Sequence, residues 1–297
     1  MTLLVTGSKG QLGRELTRRG KDRGMDIAGL DLPDLDIADE AGVKKAFGVH
    51  RPRAVINAAA YTHVDHAEKD ADAAFLANSR GPAVLADQCR EKNAALIHVS
   101  TDFVFDGEKK TPYLESDPTR PLNVYGAGKL LGENEIRRRL HSHIIVRTSW
   151  LYGAHGANFM KTMLKLAKDK NEIAVVSDQR GSPTCAGDLA EALLSIASMV
   201  MRSPRAPRGL FHFCGQGEAT WDTFARAIFE IAEELGILPK APVVRPISSD
   251  EYPAAARRPY FSVLDCSKIR ERFQIIPRPW RESLKETLES LKGRDRP

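Results

Sequence analysis

No run of about 18 apolar residues, the length a helix needs to cross a membrane, occurs in the sequence, so no membrane span is predicted. Cysteine is scarce: Cys89, Cys185, Cys214 and Cys266 stand far apart, none at CxxC spacing and none beside a histidine cluster. That excludes a disulfide framework or zinc site readable from spacing, and isolated thiols suit a reducing compartment. The opening MTLLVTG lacks the charged stretch and long apolar run of an export signal, and a cytoplasmic chain is the expectation. Aromatic residues are few, at 7%. They do not interleave with the short basic runs, Arg137-Arg138-Arg139 and the tail Lys292 to Arg296, which therefore read as solvated faces and not as a nucleic-acid platform. The net charge is a mild +5, enough to favour a small anionic substrate. No internal repeat is present.

What is present is an alternation of apolar strand and amphipathic helix. Strands are predicted at Thr2 to Thr6, Met25 to Leu30, Ala54 to Asn57, Ala94 to Val99 and His143 to Val146. Helices fall between them, the longest from Ala71 to Glu91. This order predicts an α/β fold, a Rossmann-type doubly wound parallel sheet with right-handed crossovers. Residues 1–153 read as a dinucleotide-binding domain. Residues 154–297 read as a smaller, mainly substrate-binding lobe, with some segments returning to the sheet. Within that lobe Phe211, Phe213 and Trp221 read as core.

Ligands of such sheets bind outside the carboxyl ends of the strands, where the informative residues gather. TGSKGQLG follows the first strand, with Gly7, Gly10 and Gly13 spaced GxxGxxG. Glycines permit a tight turn and let backbone N–H groups approach a pyrophosphate at a helix N-terminus, so the pattern predicts a dinucleotide site. Asp31 stands 18 residues after Gly13. It either binds ribose hydroxyls and disfavours a 2′-phosphate, or is one of several turn aspartates in DLPDLDIADE. Ala58-Ala59-Ala60 leaves room for a ligand or for a packed helix. Asn78 either holds backbone or water near the site or faces solvent. Ser100-Thr101 either bonds a carbonyl or starts a turn. PLNVYGAGK puts Tyr125 and Lys129 four residues apart, on one helix face. An ammonium there is expected to lower the tyrosine pKa from about 10, so that the phenol exchanges a proton with a carbonyl near neutral pH.

TGxxGQLG, NAAAYT, STDFVFDG, YxxxK and RTSWLYG occur in that order, followed by DQRGSPT and the Arg-Pro of RRPYFS. The ordered set resembles the extended short-chain dehydrogenase/reductases and, within them, the dTDP-4-dehydrorhamnose reductases, over nearly the whole chain. The resemblance implies reduction of the C4 keto group of a dTDP-linked 4-keto sugar with NADPH or NADH, the nucleotide sugar being the small-molecule partner. It implies that Thr101 hydrogen-bonds the keto oxygen, Tyr125 donates the proton, and Lys129 holds the nicotinamide ribose and depresses the tyrosine pKa. Gly7, Gly10, Gln11 and Leu12 would meet the pyrophosphate, Asp31 the adenosine ribose, and Ala58, Ala59, Tyr61 and Asn78 the cofactor's middle. Asp102 would order its segment, and Thr62, Val64, Trp150 and Arg258 would contact sugar and diphosphate.

Several members hold Mg2+ at a homodimer interface through glutamates. Glu15 matches one of these, but Gly187 stands where another is expected, so no metal ligands are assigned and Mg2+ and the homodimer stay open. Phe261 departs from the family's usual residues after Arg-Pro. Two rival readings share much of the pattern: a nucleotide-sugar 4-epimerase or dehydratase, and a non-catalytic subunit resembling the methionine adenosyltransferase beta subunit. The intact Thr101, Tyr125 and Lys129 set with RTSW favours catalysis.

Overall fold

The structure, a computed structural model, describes residues 1–294; the last residues of the basic tail, from 295 onward, lie outside the described residues. The first half runs β1 (Leu3–Thr6), α1 (Gln11–Asp22), β2 (Ile27–Leu30), α2 (Glu40–His50) and β3 (Ala54–Asn57). It continues with α3 (Val64–Ala67), α4 (Ala71–Phe75), a π turn (Leu76–Arg80), α5 (Gly81–Glu91), β4 (Ala95–Thr101), α6 (Val124–Arg139) and β5 (His143–Thr148). The second half adds β6 (Leu151–Tyr152), α7 (Phe159–Leu166), β7 (Glu172–Val176), β8 (Arg180–Gly181), β9 (Thr184–Cys185) and α8 (Ala186–Arg202). It ends with β10 (Gly209–His212), β11 (Ala219–Thr220), α9 (Trp221–Glu234), β12 (Val243–Ile247), α10 (Ser267–Phe273) and α11 (Trp280–Arg294).

Six parallel strands form the main sheet in the order β10-β5-β4-β3-β1-β2. The strands are apolar on both sides because both faces are covered. Leu3, Val5, Ile56, Ile97 and Val146 pack under α1 and α8 with Leu12, Leu16, Leu189, Leu193 and Ile196. Leu4, Val55, Leu96 and Ile145 turn to the other face, against Val43 and Phe47 of α2, Val84 and Leu85 of α5 and Ile136 of α6. A smaller body beside this sheet pairs β7 with β12 and packs α7, α9 and α11 around Met160, Ile173, Phe224, Phe229 and Leu284.

The predicted long helix from Ala71 to Glu91 is interrupted by the π turn. Two contacts account for the widened turn. The Asn78 side chain is fully buried and bonded to the backbone of Tyr61. A Cβ on Gly132 of α6 would lie 2.1 Å from the Asn78 carbonyl oxygen, so α6 approaches this turn as only a glycine permits. π turns recur at functional sites.

The chain leaves β1 outward to β2 and then crosses to β3 on the other side of β1. That reversal opens a crevice at the carboxyl ends of β1 and β3, where ligands of such sheets bind.

Candidate active site

Gly7 sits at the mouth of this crevice with φ +69°, and a Cβ there would come 2.6 Å from Ala59 N. Gly13 is closed in equally: its Cβ would lie 2.0 Å from the Gly7 carbonyl oxygen. α1 starts at Gly10 with no side-chain cap, which leaves its first backbone N–H groups for an anion. Leu12 buries its side chain in the core and offers the crevice only its backbone. The Gln11 amide is tied down, donating to the Leu151 carbonyl (3.3 Å) and accepting from Asn158 (2.6 Å). These features fit a dinucleotide pyrophosphate. At the next strand end, Asp31 accepts from the backbone N–H of Lys9 (2.7 Å) and of Leu32 (2.8 Å), which fixes its carboxylate beside the glycine turn. The Lys9 ammonium lies nearby, paired with Asp34.

Ala58 and Ala59 follow β3 and face Gly7. Tyr61 is held by Asn78 through both backbone groups, at 2.9 and 3.0 Å, and its hydroxyl meets His66 Nδ1 at 2.9 Å. Thr62 is exposed and Val64 half-buried at the start of α3. The next residue, Asp65, holds Arg258 in a two-pronged ion pair, which brings the Arg-Pro segment over this edge.

β4 runs out at Ser100-Thr101, and the chain turns sharply. The Thr101 hydroxyl accepts from Phe103 N (3.1 Å) and donates to Asp102 Oδ1 (3.0 Å). Asp102 is buried; that burial pushes its carboxyl up to about 6, with the Ser262 and Thr101 hydroxyls acting in the opposite direction. α6 begins at Asn123, whose Oδ1 accepts from Gly126 N (2.8 Å) and whose Nδ2 donates to the Arg257 carbonyl (2.8 Å). A Cβ on Gly126 would lie 2.2 Å from the Phe103 carbonyl oxygen, so the first turn of α6 is pressed onto the Thr101–Phe103 turn. This places Tyr125 edge-on to Phe103, ring centroids 5.8 Å apart, within hydrogen-bonding influence of Thr101.

The expectation that Lys129 lowers the Tyr125 pKa is corrected here. The side chain of Tyr125 is half-buried, yet its hydroxyl lies in dense surroundings, and that burial pushes the phenol up to about 12. Thr101 acts in the opposite direction and the Asp102 charge adds to the rise. Lys129 is buried and turned elsewhere: Nζ donates to the Val99 carbonyl (2.7 Å) and lies 3.4 Å from His98 Nε2. Its own pKa falls to about 8 through burial, opposed by Glu133. Tyr125 is therefore protonated at neutral pH.

Trp150 follows β5 with φ +46°, a costly conformation for a bulky residue and one that marks functional sites. It lies flat on Trp221 (3.5 Å between centroids, 3° between planes), and a Cβ on Gly181 would strike its ring at 2.5 Å. Phe211 and Phe213 are core, as read from the sequence, and Trp221 packs half-buried against the core of the smaller body while also forming half of this aromatic slab.

Sequence reasoning passed over a buried polar layer beneath the site. Ser100 and Arg147 both donate to Glu133, Arg147 through two bonds of 2.8 and 2.7 Å. Asn57 and His98 sit beside Lys129 in a second network. The signal was available: each of these residues interrupts an otherwise apolar strand or a helix face turned to the sheet.

The Glu15 carboxylate is already paired within the chain. Burial acts to raise its carboxyl, but Arg19 and Arg18 occupy Oε2 and hold it below the usual range. A Cβ on Gly187 would lie 2.5 Å from Arg19 Nη2, so the glycine makes room for a guanidinium. Among the described residues no group of three His, Cys, Asp or Glu side chains is arranged to hold a metal ion.

Residues 1–292 match the family described as RmlD substrate binding domain. The dTDP-4-dehydrorhamnose reductase of Aggregatibacter actinomycetemcomitans is 42% identical, the match covering 95% of this chain and 97% of that one. A crystal structure of a dTDP-4-dehydrorhamnose reductase from Clostridium acetobutylicum superposes with TM-score 0.91 at 39% identity, covering 98% of this chain and 100% of the other. A second, from Bacillus anthracis in complex with NADP, gives TM-score 0.89 at 35% identity, covering 97% and 99%.

Proposed function

The chain belongs to the RmlD substrate-binding-domain family, and we propose that it reduces the C4 ketone of dTDP-4-dehydro-L-rhamnose to dTDP-L-rhamnose with NADPH or NADH. The reading places this chemistry in the cytoplasm, on the route to cell-surface polysaccharide. The observation that carries it is the packing of a protonated Tyr125 onto Thr101 at the carboxyl end of β4, beside the Gly7 crevice. No helix is long and apolar enough to cross a membrane among the described residues.

A nicotinamide dinucleotide bound along the Gly7–Gly13 turn and Ala58-Ala59 would supply a hydride to the ketone carbon. Charge then builds on the ketone oxygen, and this chain's residues meet it there. Thr101, its hydroxyl turned from Asp102 Oδ1 to that oxygen, hydrogen-bonds it, and Tyr125 hands it the phenolic proton, so that ketone, hydride and proton become the alcohol. The phenolate left behind is reprotonated from solvent. Both donors bind the developing alkoxide more strongly than the ketone, which is what accelerates the step. Lys129 would hold the nicotinamide ribose. Trp150, Thr62, Val64 and Arg258 line the way in for sugar and diphosphate. Consumption of NADPH and of NADH with the 4-keto sugar nucleotide, and identification of the rhamnose product, tests the assignment; a folded, dinucleotide-binding protein that oxidises neither would refute it.

Two further results follow from the site. Asp31 presents a fixed negative charge, and Lys9 a positive one, where an adenosine 2′-phosphate would lie. Asp31→Ala is expected to raise the NADPH:NADH ratio of kcat/KM about tenfold, equivalent to about 1.4 kcal/mol, and Lys9→Ala to lower it. An unmoved ratio in both variants would show that neither residue reads the ribose. Because guanidinium groups already neutralise Glu15, dialysis against EDTA is expected to leave turnover unchanged. A loss restored by Mg2+ would contradict this.

A further inference from the structure

Asn57, His98 and Lys129 form a buried line running from β3 through β4 to α6, none of it needed for the proton transfer described above. Its hydrogen-bond directions are determined. The Ala59 backbone N–H donates to Asn57 Oδ1 at 3.1 Å, and Thr6 Oγ1 donates to the same oxygen at 2.7 Å. A backbone N–H has no alternative role, so the Asn57 amide cannot be turned over. Its Nδ2 must then donate to His98 Nδ1, 2.9 Å away. A neutral imidazole accepting at Nδ1 carries its proton on Nε2, and Nε2 lies 3.4 Å from Lys129 Nζ.

We infer that His98 is a positioning residue for Lys129: Asn57 locks its ring proton onto Nε2, and that N–H, turned toward the lysine nitrogen, opposes the ammonium form and steers it onto the Val99 carbonyl. A protonated amine has no lone pair for Nε2–H, whereas the neutral amine does. The other charged or titratable groups near Lys129 are Tyr125 and Glu133 on its own helix. Glu133 favours the ammonium and is itself paired with Arg147 of β5. Asp102 acts on Tyr125 from the turn after β4. His98 stays neutral because burial, and then the Lys129 charge, hold its imidazole well below the ordinary range. The consequence is a lysine that titrates near the working pH in place of one locked in its charged form.

The role for Lys129 rests on the reductase reading, but the first test does not. Two-bond 1H–15N correlation spectra of 15N-histidine-labelled protein identify the tautomer without cofactor or substrate. A protonated Nε2 and bare Nδ1 at His98 across neutral pH is expected; the opposite tautomer, or an imidazolium, overturns the proposal. The second test is Asn57→Asp. Its carboxylate accepts the Nδ1 proton, leaves Nε2 as an acceptor for the ammonium, and should move the high-pH limit of kcat/KM upward by about one unit, tenfold in proton concentration. In Asn57→Asp with His98→Phe the relay is cut, and most of that displacement should vanish. If the double variant keeps all of it, the carboxylate acts directly and His98 is only structural.

Discussion

Tyr125→Phe leaves a folded protein that binds dinucleotide and turns over more slowly by on the order of 10²–10³-fold, the usual cost of removing one donor from a developing oxyanion. The size follows from what remains. Thr101, its hydroxyl turned from Asp102, still hydrogen-bonds the ketone oxygen, but a hydroxyl is a poor acid. Loss of the phenolic oxygen leaves the ring against Phe103, so packing is kept. The melting temperature should therefore stay near wild type while kcat falls and the dinucleotide Kd, read by fluorescence titration, holds. Retained turnover would remove Tyr125 as the donor. The pH profile carries a second check. With the phenol pushed up to about 12 by burial, Tyr125 keeps its proton from pH 6 to 9, so a descending alkaline limb belongs to Lys129, brought down to about 8, while a limb near 6 belongs to Asp102. Activity that depends on the ammonium is complete below that value and declines as pH rises through it.

Glu133→Ala should be the most damaging single change to stability. Glu133 and Arg147 are both almost completely buried and joined by two short bonds, with Ser100 donating a third. Removing the carboxylate strands a guanidinium in the interior. One of its nitrogens, Nη1, already lacks a partner. Breaking such a pair costs about 3–5 kcal/mol, mostly the penalty on the abandoned charge. For a chain of this size that corresponds to a fall in Tm on the order of 10 °C, measurable by calorimetry. Replacing both residues together, Glu133→Leu with Arg147→Met, should recover much of the loss, because no unpaired charge is left behind. A double variant as unstable as the single one would show that the pair contributes more than its mutual neutralisation.

The sheet and the crevice were legible because they follow from periodicity and glycine placement. Five strands were read within a few residues of their observed positions, and the glycine turn lies where a strand-turn-helix pattern puts it. The interruption at Leu76–Arg80 was not legible, since a π turn has no periodicity of its own over five residues and here depends on the approach of Gly132. The direction of the Tyr125 shift was misjudged for a related reason. Spacing along α6 puts Lys129 one turn from Tyr125, but only the tertiary fold brings Val99 close enough to draw the ammonium away, and only burial makes the phenol resist ionisation. Likewise the sequence shows Trp221 as core, which it borders, but not that Trp150, 71 positions earlier in the chain, lies flat on it.

The sixth strand of the main sheet and the helix that covers α1 are both drawn from beyond residue 185. The two halves of the molecule are thus interwoven in space though consecutive along the gene. A stop after residue 153 would bare the edge of β5 and the apolar side of β1, so truncation there leaves the main sheet incomplete. Recombination between relatives meets the same obstacle. A second half taken from a relative would have to keep β10 and α8 matched to the recipient's sheet and α1, so exchange is confined to loops and short segments and cannot proceed by swapping whole halves.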